Sequence, residues 1–183
     1  NAAGATIAGT STVKAGATLI NSGTVADVVN AGTFDNKAGG KAGALTNSGG
    51  ATNAGTVGNV GNSGTFDNTG TAGTVTNSGT ATNSTSGTVA ALTNGGGTFQ
   101  NDGKIAGAAT VDGGTLTTTG TIGGDLTNKA TTNAAGKIGG KITNFGTLNV
   151  TADLTAGGTV DNSGKVEVKA GTFSGITTFT NAS

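Results

Sequence analysis

Carboxylates are the main candidates for chemistry in this sequence. The chain has nine Asp and Glu residues in total, but no Cys and no His. Their absence excludes a thiol nucleophile, a Ser-His-Asp triad and the usual zinc or haem ligands. Two carboxylates that face each other across a groove would suit glycoside hydrolysis, and the candidates are Asp112, Asp125 and Asp161.

None of these three residues recurs at the same place in neighbouring repeats, which favours isolated, solvated charges. Asp125 follows Gly123-Gly124 without a counterpart one repeat away, so no ladder of calcium ligands is predicted. The stretch Gly139-Gly140-Lys141 lacks the glycine spacing and the following Ser or Thr of a phosphate-binding loop. The sequence therefore predicts a non-enzymatic protein with no catalytic, cofactor-binding or metal-binding residues.

An internal repeat of about 16 residues organises the chain. Short phrases that begin with Gly-Thr recur, such as GTFDN at 32–36 and again at 64–68. A longer phrase, GTAGTVTN at 70–77 and its relatives, lies between them. The longer phrases open at Gly55, Gly70, Gly87, Gly103, Gly120 and Gly136. Two interleaved series with one common period indicate a repeat architecture.

Short apolar stretches bounded by Gly, Asn and Ser predict strands joined by tight corners. Thr, Val and Ile favour strands, whereas Gly and Asn tolerate the backbone conformations of corners. We therefore predict an all-β fold, a parallel β-solenoid with about 16 residues per coil and roughly 11 coils. It is expected to form one domain over residues 1–183, without evident caps, as a rod on the order of 50 Å long.

Alignment of the repeats predicts three interior columns of side chains. The first is Val57, Ala72, Val89, Ile105, Ile122 and Ile138. The second is Leu45, Val60, Val75, Leu92, Val111, Leu126 and Ile142. The third is Phe34, Ala51, Phe66, Ala81, Phe99, Leu116, Thr131 and Leu148. In the third column Phe first alternates with Ala, which conserves volume where stacked rings would crowd each other.

Asparagine forms two further columns, one at the end of each phrase. The longer phrase ends at Asn47, Asn62, Asn77, Asn94, Asn128 and Asn144. The shorter phrase ends at Asn36, Asn53, Asn68, Asn83, Asn101 and Asn133. Amides stacked in register donate to one another and form a ladder, and this structural role is preferred here to ligand or carbohydrate contact.

Charge and composition narrow the classes of partner. The net charge is zero and the chain contains no Arg, which argues against binding to nucleic acid. No run of apolar residues is long enough to predict a membrane-spanning helix. Hydrophobic residues make up only 33% of the chain, and this favours a thin, repetitive core over an ordinary globular one.

The phrase GTVTNSGT at 73–80 and its echo ITNFGTL at 142–148 resemble the passenger repeats of bacterial autotransporter adhesins and related haemagglutinin-type exoproteins. The similarity covers nearly the whole chain. It implies a right-handed β-helix that is secreted or displayed on a bacterial surface and serves adhesion, aggregation or scaffolding. No translocator barrel of such relatives is recognisable in this sequence.

We expect from these features a secreted structural protein whose copies stack end to end into an extracellular filament or form a rigid surface rod. Its partner would then be the chain itself. One alternative is an excerpt of a passenger adhesin that binds a host or cell-surface ligand. A second alternative is a Thr-rich ice-binding solenoid, for which Thr80-Ala81-Thr82 and Thr115-Leu116-Thr117 fit, whereas Asp67 and Gln100 interrupt the array.

Overall fold

The computed structural model describes residues 1–182 and confirms the predicted all-β parallel β-solenoid. The chain winds through about 10 turns of about 17 residues each. Each strand between the first and last turns pairs in parallel with the strands one turn before and one turn after it. The turns are slightly longer than the predicted period because some corners, such as 37–40 and 84–87, carry additional residues.

Each turn has three faces. Face 1 contains the strands Thr6–Ile7, Thr24–Val25, Lys41–Ala42, Thr56–Val57, Lys104–Ile105, Thr121–Ile122 and Phe173–Ser174. Face 2 contains Ser11–Val13, Val28–Asn30, Leu45–Asn47, Val60–Asn62, Ala109–Val111, Leu126–Asn128, Ile142–Asn144, Thr159–Asn162 and Thr178–Asn181. Face 3 contains Thr18–Asn21, Thr33–Asn36, Gly50–Asn53, Thr65–Asn68, Thr80–Asn83, Thr98–Asn101, Thr115–Thr118 and Lys165–Val168.

Four longer strands bend around a corner and belong to two faces. Thr71–Asn77 and Thr88–Asn94 run from face 1 to face 2, and Thr131–Ile138 and Thr147–Ala156 run from face 3 to face 1. Along each strand, side chains alternate between the interior and the surface, as the pleat requires. In the strand Thr65–Asn68, for example, the second and fourth residues are buried and the other two are exposed.

The predicted interior column of face 1 is confirmed in full. Its successive residues pair across every turn from Val57 to Ile138, and all of them are buried. On face 3, Phe34, Phe66 and Phe99 are separated by single Ala residues, as predicted. The three rings are at most 2% exposed, so they fill the narrow interior.

Two residues that we predicted for the interior columns take other places. Val111 is buried as predicted, because residues two apart on a strand share a face, but it lies in register with Asn94 and Asn128. Ala109 takes the place between Leu92 and Leu126. Thr132, not Thr131, pairs with Leu116. A shift of one residue along a strand moves a side chain to the opposite side of the sheet. Thr131 is accordingly half-buried at the surface, whereas Thr132 lies inside.

Candidate functional site

The three candidate carboxylates are not assembled into a cleft but have partners along the surface of the rod. Asp112 forms an ion pair with Lys129 at 2.8 Å. Asp125 accepts a hydrogen bond from the backbone N–H of Lys141 at 2.8 Å, and the ammonium of the same lysine contacts Asp161. Asp125 and Asp161 therefore contact the same lysine, Lys141, whereas Asp112 contacts Lys129. Each contact neutralises or satisfies its carboxylate locally.

The hydrogen bond that Asp125 accepts recurs at three other corners, and the sequence analysis did not predict it. Asp27, Asn59 and Asp153 each accept a hydrogen bond from a backbone N–H of the next turn, at 2.8, 3.1 and 2.9 Å respectively. In all four cases the residue directly precedes the inward Val or Leu that begins a strand segment. An Asp or Asn directly before an inward Val or Leu is the sequence feature that predicts this hydrogen bond. These side chains secure the corners between turns.

Within residues 1–182, no group of three or more His, Cys, Asp or Glu side chains lies close enough together to hold a metal ion. Within the described part of the chain, no helix is long and apolar enough to cross a membrane. A hydrogen bond from the ammonium group of Lys165 lowers the pKa of the neighbouring Glu167 carboxyl from its ordinary value.

The asparagine columns form two internal ladders that run along the rod. On face 2, the side-chain amide of each Asn donates to the side-chain oxygen of the next at 2.7–2.8 Å. These bonds link Asn30, Asn47, Asn62, Asn77 and Asn94 and, further along, Asn128, Asn144, Asn162 and Asn181. On face 3, bonds of the same length link Asn1, Asn21, Asn36, Asn53, Asn68, Asn83 and Asn101.

Each interior ladder residue uses its amide fully. The Nδ2 of Asn77 donates to Asn94 Oδ1 at 2.8 Å, to Gly79 O at 3.1 Å and to Thr98 O at 3.0 Å. Its Oδ1 accepts from Asn62 Nδ2 at 2.8 Å, and the residue is completely buried. The amide therefore ties three successive turns together. Because buried polar groups are costly when unpaired, such a network fixes the register of the stack.

Both ladders are interrupted in the same turn of the rod. On face 2, Val111 occupies the place of an asparagine between Asn94 and Asn128. On face 3, the amide of Asn101 donates to Thr118 Oγ1 at 3.1 Å, and the next place is taken by Ala134. The turn that holds Val111 and Thr118 thus divides a segment with two ladders from a segment with one.

The prediction that Asn133 continues the face 3 ladder is wrong. Asn133 pairs with Thr117 and Asn149 and lies outside the interior column, because Ala134 takes the inward place. Its side-chain oxygen accepts a hydrogen bond from Asn149 Nδ2 at 2.8 Å. A phrase ending in Asn is therefore insufficient to place the residue in a ladder, since the parity of the strand decides which way it points.

Replacement of Val111 by Asn is expected to repair the face 2 ladder. The new amide would accept from Asn94 Nδ2 and donate to Asn128 Oδ1, which restores two hydrogen bonds at a buried place. Each such bond contributes about 1 kcal/mol net, and the buried Val side chain that is lost contributes about as much as the two bonds together, so we expect Val111→Asn to stay within about 1 kcal/mol of the parent. Denaturant unfolding followed by circular dichroism measures the difference. Val111→Ala, which removes the side chain without adding an amide, should destabilise, and equal midpoints for the two variants would contradict the repair.

Threonine forms the outer column of face 3. Thr65, Thr80, Thr98, Thr115, Thr131 and Thr147 follow one another in register without interruption. The second outer column of the same face is mixed, since it contains Asp67, Thr82, Gln100 and Thr117. The predicted interruptions of the Thr-x-Thr array are therefore found in one column, and the other column is continuous over six turns.

Neither the protein-family models, the curated proteins nor the solved structures that were compared with the chain gave a match. The class of protein is defined by the geometry alone: a parallel β-solenoid with a thin aliphatic core and internal asparagine ladders. The resemblance to autotransporter passenger repeats stays a prediction from the repeat phrases.

Proposed function

We propose that this chain is a non-enzymatic structural rod of the bacterial cell exterior, whose copies stack end to end. The main support is the uniform direction of the stack, in which the strand pairs are parallel and each ladder amide donates to the next turn. In the first and last described turns, Ile7, Val168 and Phe179 continue the interior columns. These three side chains are 37%, 50% and 46% exposed.

A turn from a second copy would cover these side chains and continue the strand pairing. All pairs along the rod are parallel, and the Asn–Asn bonds of both interior ladders donate from each turn to the next. The two ends of the rod are therefore different surfaces, and stacking of first turn on last turn preserves the parallel arrangement. Unpaired strand edges are strong templates for such addition.

Sedimentation velocity and negative-stain electron microscopy over a range of concentrations test the stacking. The expected result is a population of rods longer than the single chain, which spans about 50 Å at the usual strand spacing. Phe179→Lys places a charge in the interior column of the last turn and should remove the rods that are longer than a single chain. Val29→Lys, which adds the same charge at an exposed apolar residue on the outside of face 2, is the matched control.

Single rods at every concentration for the parent protein would overturn end-to-end stacking. They would favour the adhesin alternative, in which the rod presents its surface to a host or cell-surface ligand.

The continuous threonine column of face 3 supports the ice-binding alternative as the next candidate. Thermal hysteresis measured on the same preparation decides between these two, because an adhesin without affinity for ice does not depress the freezing point.

A further inference from the structure

The edge between faces 2 and 3 carries a surface that is complementary to itself. We define the 2–3 edge as the residues that directly follow each face 2 strand and stack through backbone hydrogen bonds. In chain order they are Lys14, Ala31, Ser48, Ser63, Ser78, Gly95, Asp112, Lys129, Phe145, Ser163 and Ala182. Between Ser63 and Phe145 the side chains pass from small to large, so this segment of the edge is stepped along the axis of the rod.

A notch lies at the small end of this edge. On the outside of face 2, Thr46, Gly61 and Thr76 are in register, and Gly61 leaves a gap between the two threonine side chains. The resulting concavity is lined by these three residues together with Ser63 and Ser78 of the 2–3 edge. A Cβ atom on Gly61 would meet nothing within 4 Å, so the gap is open to the outside.

A protruding aromatic ring lies at the large end of the same edge. Phe145 is 56% exposed, the largest exposed fraction among the large hydrophobic residues of the described chain. It follows the face 2 strand Ile142–Asn144, at the place that Ser63 and Ser78 occupy beside the notch. Exposed aromatic anchors that fit a pocket contribute much of the binding free energy of protein interfaces.

We propose that two copies of the chain pair side by side and antiparallel along the 2–3 edge, with Phe145 of each copy in the Gly61 notch of the other. Five turns, or about 24 Å at the usual strand spacing, separate the rung of Ser63 from that of Phe145. A two-fold axis midway between these rungs creates both contacts at once. Such an isologous contact closes on itself and gives a dimer rather than an open chain.

The residues between the two contacts are compatible with this arrangement. The same two-fold axis places Lys129 of one copy opposite Ser78 of the other, and Asp112 opposite Gly95. Each large side chain then faces a small residue. The two Asp112 carboxylates come within one rung of each other across the axis, so each needs the lysine of its own chain to neutralise it. Lys129 and Asp112 keep the ion pair that they form within their own chain at 2.8 Å. This lateral pairing uses none of the terminal residues that carry the proposed end-to-end stacking.

Sedimentation equilibrium on the Phe179→Lys background, in which end-to-end stacking is blocked, tests the lateral pair. The Phe179→Lys protein without further substitutions should show a species of twice the 17.0 kDa chain mass at high concentration. Phe145→Ser, which introduces the residue found at Ser63 and Ser78, should abolish that species. Gly61→Thr, which fills the notch with the residue of the neighbouring turns, should abolish it as well. Ile20→Thr removes an exposed apolar side chain from face 3 and should leave the dimer intact.

Engineered disulfides test the antiparallel register, since the chain has no cysteine of its own. Ser78→Cys combined with Lys129→Cys should give a covalent dimer under mild oxidation, and either single variant should not. A parallel, staggered pair would bring Ser78 opposite a different turn and would give no such dimer. A background protein that stays a single rod at all concentrations would overturn the proposal, as would dimers that persist in both Phe145→Ser and Gly61→Thr. Circular dichroism spectra like that of the parent confirm that these variants fold.

Discussion

Asn77→Asp is expected to destabilise the rod by about 3–5 kcal/mol at neutral pH, the range for an uncompensated buried charge. The substitution changes one amide nitrogen to oxygen in a completely buried side chain. The three oxygens that accept from Asn77 Nδ2, on Asn94, Gly79 and Thr98, would then face a carboxylate oxygen without a proton. Each of these contacts changes from a hydrogen bond into a repulsion between acceptors.

The penalty should depend on pH in a defined direction. Burial among acceptor oxygens raises the pKa of the new carboxyl above its ordinary value, because the charged form loses its hydration. The folded state is then favoured below the ordinary pKa of Asp, and the loss of stability grows as the pH rises through the raised pKa. Unfolding by denaturant at about pH 4 should therefore show a smaller deficit relative to the parent than unfolding at about pH 7.

Asn59→Asp provides a matched control with the same chemical change. Asn59 is exposed at a corner, and its side chain acts there as an acceptor for the backbone N–H of Thr74 at 3.1 Å. Asp27 and Asp125 perform this role in other turns, so a carboxylate is suited to it. The control should change the free energy of unfolding by less than about 0.5 kcal/mol. Equal losses in the two variants would show that the Asn77 ladder contributes no more than a surface contact.

Gly64→Ala is expected to produce the second large effect, a loss of about 3 kcal/mol or more. A Cβ atom on Gly64 would overlap the carbonyl oxygen of Gly49 in the turn below and would lie 2.7 Å from the carbonyl carbon of Ser48. These are backbone atoms, and the oxygen of Gly49 also accepts the hydrogen bond from Thr65 N at 2.9 Å. The two turns must therefore move apart, which weakens the parallel pairing at this corner.

Gly61→Ala, three residues earlier, separates this close approach from the general effect of replacing glycine. A Cβ atom on Gly61 meets nothing within 4 Å. Since the substitution restricts the unfolded chain, we expect it to stabilise the rod by about 0.4–1 kcal/mol. Denaturant midpoints of the two alanine variants, measured side by side, are expected to move in opposite directions. A stable Gly64→Ala variant would mean that the corner adjusts without cost to the stack.

The candidate site could be predicted only in part from the sequence. The columns from Asn47 to Asn94 and from Asn36 to Asn101 follow directly from the repeat, since residues one period apart stack in a solenoid. Asn133 could not be placed correctly, because a bent strand and a locally changed period put Ala134 in the inward position. The corner residues such as Asp27 and Asn59 were not predicted, because their contacts reach a backbone N–H in the next turn.

The repeat of glycine, threonine and asparagine determined the architecture by itself, because short strands bounded by tight corners at a fixed spacing bury their apolar side chains only by stacking. It also determined most of the core, including the alternation of Phe66 with Ala81, since volume must be conserved along a narrow interior. The tertiary structure alone decided where the ladders break, at Val111 and Thr118, and which side of the strand Thr131 faces. It also decided that Gly61 and Phe145 lie along one edge. These features depend on corner lengths and strand parity, which differ by single residues between turns and set the direction of the side chains in the strand that follows.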